Sequence, residues 1–452
     1  MLDGCTPWPE VFVDRYWAAG QWRGHTLDNL LRDRAVRYGP RTALVHGATR
    51  LTYAQLNRRV ERMAAGFRLR GLRPGQRIVV QLPSVPEFVV TVFALMRAGT
   101  YPVLCPLSHG TAEVCRVVRI AEAAGYVGPA VHGGVDHIAR VAEIAGQGPF
   151  LRRAFLYEPA GTSSPYGGLR IDASGCHYFP LGSVDSPPER PLVRGADQVA
   201  FFLTAEGTGA EPLLVPRTHD DYACQVRGAA EAVALTEDDV CLAALPAESP
   251  LALGCPGIVG TLFAGGTVVL AEDPDPGACL ALIARERVTL TSVTPAVVRD
   301  WLDVLPTVRA DVSSLRLVQL GGGPPDRATA LRVREELGCR PQQVFALAEG
   351  PLTLTRPGDP DEAAFTTQGR PLSPDDQIRI VGADGEDVPD GETGQLLARG
   401  PAVVRGYYRA PEHNARAFTA DGHLRTGVRA RRTPDGDLVV TGSPADAASA
   451  GR

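Results

Sequence analysis

Residues 201–222 read FFLTAEGTGAEPLLVPRTHDDY. An apolar strand runs into a Gly/Thr-rich loop, a second short strand follows, and a helix starts behind Thr218. Such a loop, from Thr204 through Gly207, Thr208 and Gly209, can offer backbone N–H groups and hydroxyls to a polyphosphate. The same letters also describe an ordinary strand–turn–strand connection, because one Gly-rich turn is weak evidence alone. A second constraint is compositional: all 46 basic residues are arginine, and the chain has no lysine. Codon bias toward Arg, Ala, Gly and Pro explains general depletion. Complete absence means that no step can draw on a lysine ammonium of this chain. The nine cysteines are scattered, without a C-x-x-C pair or zinc-ligand spacing. Neither a disulfide framework nor a structural zinc site is expected, and a reduced, cytoplasmic setting is.

The elements that must position these residues alternate. Arg77 to Leu82 reads as a strand, followed by a helix from Pro86 to Arg97 that opens on a favourable proline. Tyr101 to Leu104 and Thr111 to Ala124 repeat the pattern. From Gly125 to Arg194 the periodic signals weaken and Gly, Pro and Ser accumulate, which predicts loops with an edge strand or two. A second series has strands at Val199 to Leu203, Val240 to Leu245, Thr267 to Leu270, Thr289 to Val293 and Leu317 to Leu320. Helices at Pro276 to Arg287 and Asp326 to Leu337 lie between them. Strand and helix in alternation imply parallel sheets covered by helices. Beyond Gln343 short strands with many turns, at Gln377 to Val381, Gly394 to Arg399 and Leu438 to Thr441, predict a β-rich subdomain. The expected division is 1–195 and 196–342 as α/β subdomains, 343–441 as the β-rich unit and 442–452 as a polar tail.

Composition excludes several partners. The chain has 452 residues, is 44% apolar and 21% charged, and carries a net charge of −5. That is a globular composition with no electrostatic footprint for nucleic acid. Met1 to Glu10 lacks the regions of a signal peptide, and apolar runs such as Phe88 to Met96 are too short to span a membrane.

The text around the loop resembles the adenylate-forming superfamily of acyl-CoA synthetases, nonribosomal adenylation domains and luciferases. It is most similar to the aryl-acid–AMP ligases that activate 2,3-dihydroxybenzoate or salicylate for siderophore and related peptide assembly. The resemblance is carried by TPWPEVFVDRYWAAGQW, LRDRAVRYGPRTAL, VVQLPSVPEF, VPRTHDDY, PGIVGTLFAGGTVVL, QQVFALAEG, TQGRPLSP and GETGQLLARGPAVVRGYY, in the family's order over nearly the whole chain. It implies the large N-terminal domain of that fold: two helix-covered parallel sheets plus a β-rich subdomain. It implies a reaction in which ATP and a carboxylate give an acyl-adenylate, whose acyl group then passes to a carrier-protein thiol.

Carried over residue by residue, the family's S-G-G-T-T-G-x-P-K loop is Ala205, Glu206, Gly207, Thr208, Gly209, Ala210, Glu211, Pro212 and Leu213. Its lysine is Leu213, and two carboxylates stand where triphosphate would rest, repelling like charge. In the aromatic-Gly-x-Ala-Glu run, Phe345 would stack on adenine and Glu349 would hold Mg²⁺, while Ala346 replaces the glycine that permits close backbone approach. Gly321, Gly322 and Gly323 match the loop lining adenine. The ribose-binding aspartate is Val428, and the hinge arginine is Ser443, beside Asp446. The acid-reading loop A-H-N-x-P-L-S-S is Glu248 to Cys255, with Ser249, Pro250 and Cys255 at pocket positions. The family's small C-terminal domain, with its catalytic lysine, is expected to be absent, so no residue is assigned a catalytic role.

The departures fall on phosphate, ribose, hinge and acid positions, while scaffold text is kept. The resemblance therefore implies an aryl-acid–AMP ligase homologue whose adenylation is lost or severely weakened, with a binding or partner role in natural-product biosynthesis. Its ligand would be a small aromatic or other carboxylic acid. ATP or AMP and Mg²⁺ would bind if activity is retained, and an aryl carrier protein or companion ligase would be the protein partner. Three alternatives stay open. The chain could be a divergent ligase completed by a C-terminal domain on another chain. It could be an acyl transferase or condensing activity reusing the pocket through Cys255, His219 or Cys224, although His219 sits in scaffold text, where a capping role is expected. It could be the product of a decayed gene.

Overall fold

The computed structural model describes residues 1–159, 170–205, 211–272 and 274–442. Two large sheets dominate. In the first, the parallel strands Val199–Ala205, Tyr101–Leu104, Arg77–Val80, Gly125–Pro129, Arg153–Tyr157 and His177–Pro180 lie side by side. Leu213–Thr218 closes one edge antiparallel, and Arg170–Ile171 the other. In the second, Arg340–Ala346, Leu317–Gly321, Leu290–Val293, Val240–Ala243, Thr267–Leu270 and Thr42–His46 run parallel. Thr49–Thr52, Leu352–Leu354 and Arg370–Pro371 flank them. A four-stranded antiparallel sheet follows, of Gln377–Val381, Gly394–Arg399, Leu424–Arg432 and Leu438–Gly442. The expected fold class is present.

The helix Pro86–Arg97 shows why the two sheets face each other. It opens on Pro86 and buries nearly every residue from Pro86 to Arg97. A helix apolar all round belongs inside a core rather than on a surface. Its Phe88, Val89, Val92 and Phe93 share one cluster with Val80, Leu104 and Leu203 of the first sheet and with Leu44, Ala243 and Val268 of the second. Arg97 ends it, also buried, donating to the Asn57 side chain at 2.8 Å and the Asp28 carbonyl at 2.7 Å.

Two expectations need correction. The stretch from Gly125 to Arg194, expected as loops with an edge strand or two, holds more regular structure among its described residues: Gly125–Pro129 and Arg153–Tyr157 are interior strands, and His137–Gly146 is a helix with Asp136 as its cap. Full burial of Gly125–Pro129 removed the alternation that marks a half-exposed strand. The sheets also ignore a boundary at 195. Thr42–Thr52 joins the second sheet, Val199–Thr218 completes the first, and Arg340–Pro371 belongs to the second sheet rather than to the β-rich unit. Among the described residues, no helix is long and apolar enough to cross a membrane.

The helix His219–Ala232 starts as expected at Thr218, which forms a reciprocal capping box with Asp221. Just ahead of it, Arg217 is fully buried. Its guanidinium donates to Asp221 at 2.9 Å, to Gln225 at 2.9 Å, and to the carbonyls of Ala348 and Ala402 at 3.0 Å each. It also lies 4.9 Å above the Tyr222 ring. Burial pushes the Asp221 carboxyl upward, against the pull of Arg217. Arg217→Ala would leave that carboxylate and two carbonyls buried without their donor. We expect it to lower stability by about 3–5 kcal/mol, read as a lower denaturation midpoint. A shift below about 1 kcal/mol, the size of a surface pair, would show that Arg217 does not hold these elements together.

Candidate functional site

The Gly/Thr loop leaves the first sheet at its edge. Val199–Ala205 and Leu213–Thr218 pair antiparallel up to Ala205 opposite Leu213. Thr204 donates its hydroxyl to the Leu104 carbonyl at 3.4 Å. Glu206, Gly207, Thr208, Gly209 and Ala210 lie outside the described residues, as do Ser443 and Asp446. Leu213 stands where the family has a lysine, and its side chain packs onto the central core cluster.

On the opposite sheet, Leu317–Gly321 delivers the triple glycine. A Cβ on Gly321 would come within 2.9 Å of Leu251 and 3.1 Å of the Val344 carbonyl, so the strand end fits only glycine. Gly322 follows with φ +89°. The neighbouring strand Arg340–Ala346 carries Phe345 next door. Its side chain is buried in a cluster with Ile380, Leu396, Val428, Ala430, Leu438 and Val440. Val428 shares this buried cluster with Phe345, is 3% exposed, and has only methyl groups to offer. A carboxylate there would accept from ribose hydroxyls; a valine side chain accepts nothing.

Glu349 is buried just past that strand and accepts the Tyr407 hydroxyl at 2.7 Å. Burial drives its carboxyl upward, more strongly than the Tyr407 hydrogen bond and the Arg217 charge pull it down. A metal ligand needs an ionised oxygen facing open space and further ligands around it. Among the described residues, no group of three or more His, Cys, Asp or Glu side chains could hold a metal ion. Mg²⁺ is usually held by one or two carboxylates together with substrate phosphates and water, so Glu349 would hold it only alongside a bound nucleotide.

The acid-reading loop splits in two. Ser249 caps the short helix Pro250–Gly254, accepting from the Ala252 N–H at 3.3 Å, and Pro250 occupies its first position. Both line a cavity of about 440 Å³. Cys255 does not. It is fully buried in a cluster with Leu245, Leu251, Val344 and Leu354, so its expected place in the pocket is corrected to the core behind it. Burial pushes its thiol up to about 12.

The other candidate groups for transfer chemistry are equally inert. Cys224 is buried and its thiol is pushed up to about 12. His219 is fully buried, accepts the Leu27 N–H at Nδ1 over 3.1 Å, and is held neutral by burial, down to about 3. A thiol at such a value supplies almost no thiolate at neutral pH. The capping-like role expected of His219 is what the geometry shows.

Sequence reasoning missed the cavity itself. It lies where strands of both sheets end, bordered by Leu82, Leu104, Leu203 and Thr204 on one side and Ala244, Leu245 and Ala271 on the other. The carboxyl ends of parallel strands are where such folds hold ligands. The signal was present as strands running straight into proline turns, in LPSVP, CPLSHG and ALPAESP.

Comparison with known proteins agrees with this architecture. A family model described as AMP-binding enzyme matches residues 31–408. The 2,3-dihydroxybenzoate-AMP ligase of Bacillus subtilis (strain 168) is 40% identical over 447 residues, covering 99% of this chain and 80% of that protein. The salicyl-AMP ligase / salicyl-S-ArCP synthetase of Mycobacterium tuberculosis is 40% identical over 450 residues, covering 98% and 78%. The apo structure of MbtA from Mycobacterium smegmatis superposes with a TM-score of 0.89 at 38% identity, covering 98% of this chain and 80% of that one. The chain belongs to the AMP-binding enzyme family, in the lineage of the aryl-acid–AMP ligases.

Proposed function

We propose that this chain is an aryl-acid–AMP ligase homologue in which adenylation is lost or severely weakened, and which serves natural-product biosynthesis by binding a small molecule or a partner protein. The observation that carries this reading is Val428 buried in the same apolar cluster as Phe345. The position that would read ribose and the ring that would stack on adenine are joined in one apolar cluster. Leu213, packed on the core, removes the cation that would follow the phosphates. Adenylation develops negative charge on phosphorus, and positioned cations and N–H donors are what stabilise it. Losing one such donor typically costs about 10²–10³ in rate. Groups that act together also fail together. An aryl carrier protein or a companion ligase would be the fitting protein partner. At the acid loop, Pro250 has no side-chain group to read a hydroxyl, so salicylate and benzoate are expected to bind alike.

Pyrophosphate exchange tests the reading. The chain with ATP, Mg²⁺ and a panel of aryl acids is expected to show only background exchange. Leu213→Lys alone should not restore it. Robust exchange by the unmodified chain would sink the proposal.

Stability gives an independent check. Val428→Asp places a carboxylate in the apolar cluster of Phe345, Leu396 and Val440. We expect a loss of about 3–5 kcal/mol, measured by urea denaturation without nucleotide. An unchanged midpoint would mean that the position is open and the ribose side is not filled by packing.

A further inference from the structure

The cavity between the ends of the two sheets has walls of Leu82, Leu104, Leu203, Leu245 and Pro250. At about 440 Å³ it is of the size that encloses a ring and a short chain. Its ionisable lining is Glu248, Glu272 and His132. Glu272 has a partner, His46 Nε2 at 3.5 Å. Glu248 has none: it is 9% exposed, and among the described residues no other residue donates to its carboxylate or pairs with it. Burial pushes its carboxyl up to about 7, with no neighbouring cation to oppose the shift.

No arginine lines this cavity among the described residues. Among them, the backbone N–H of Glu248 itself is the one donor that acts on its carboxylate; the acceptor capacity left over borders the cavity, where a charge-assisted hydrogen bond from a ligand is the strongest way to use it. A carboxylate ligand would instead meet like charge at Glu248 and Glu272.

We propose that this cavity binds a protonated primary amine carrying an apolar body, with the ammonium held by Glu248. The apolar walls enclose the body, and free aryl carboxylates bind more weakly than the amine. The proposal rests on the binding role above and not on the loss of adenylation.

Calorimetric titration of the full chain, without nucleotide, tests it with 2-phenylethylamine, 2-phenylethanol and benzoate. The amine is expected to bind at least about tenfold more tightly than the alcohol or the acid, the step a charged hydrogen bond supplies. Glu248→Gln should remove that advantage and leave the alcohol unchanged, with a thermal melt to verify folding. Ala244→Trp, which fills the cavity from its wall, should abolish amine binding with Glu248 still in place. Amine binding no tighter than alcohol or benzoate, or unaffected by Glu248→Gln or by Ala244→Trp, would overturn the proposal. Pyrophosphate exchange reports on the earlier reading alone, so either one can fail while the other stands.

Discussion

The structure depends on a cation that never meets solvent. Arg217 is 0% exposed, and its four hydrogen bonds reach one helix and two loops distant in sequence. Desolvating a guanidinium is expensive unless every N–H finds an acceptor and a carboxylate balances the charge. Asp221 and Gln225 provide that from successive turns of one helix, while Ala348 and Ala402 bring in the loops on either side of Glu349 and Val403. The packing at this junction leaves no slack. Gly350 has φ +109°, and a Cβ there would overlap the Ala402 carbonyl. Trp22 adds a hydrogen bond from its indole N–H to the Pro401 carbonyl at 3.0 Å, tying the N-terminal segment to the same loop.

That junction gives some family text a structural role of its own. Glu349 follows Ala348, whose carbonyl Arg217 holds, and its own carbonyl accepts the Val404 N–H at 2.9 Å. Its carboxyl end is used by Tyr407. Each atom of this segment has a structural employment independent of a nucleotide. Phe345 likewise joins the second large sheet to the antiparallel sheet through Val428 and Leu438. Retention of Phe345 and Glu349 by type is therefore no measure of retained nucleotide chemistry. Packing alone is enough to keep them.

Much of the fold was legible in the sequence because period and punctuation agreed. Pro86–Arg97, Tyr101–Leu104, Thr267–Leu270, Gln377–Val381 and Gly394–Arg399 have the bounds that apolar pattern and turn residues predicted. The Thr218 cap was readable from its own letters. The interior strands Gly125–Pro129 and Arg153–Tyr157 were not, because a strand buried on both faces has no alternation and GYVGP carries two glycines and a proline. Strand exchange between sheets was also invisible, since periodicity names a strand without naming its neighbour. At the site, residue types show that Val428 and Leu213 have no polar side-chain group. They could not show that Cys255 turns into the core while Ser249, six residues earlier in the chain, lines the cavity.

The lysine-free composition acquires a structural meaning in this light. Arginine's planar fork suits fixed carbonyls and carboxylates, whereas a lysine ammonium is a compact charge on a mobile stem. The buried cations of this chain are spent in the first way. Arg217 and Arg97 donate to backbone carbonyls, and the exposed Arg316 in the same way grips Asp239 with two nitrogens at 2.7 and 3.0 Å. Guanidiniums committed to scaffold cannot also track a phosphate through a reaction. The ligand-sized space between the sheets is then left with carboxylates and no counter-charge of its own among the described residues. A fold whose lineage handles anions has here kept its cations for architecture, and the electrostatic preference of the remaining cavity is set by the acids that stay behind.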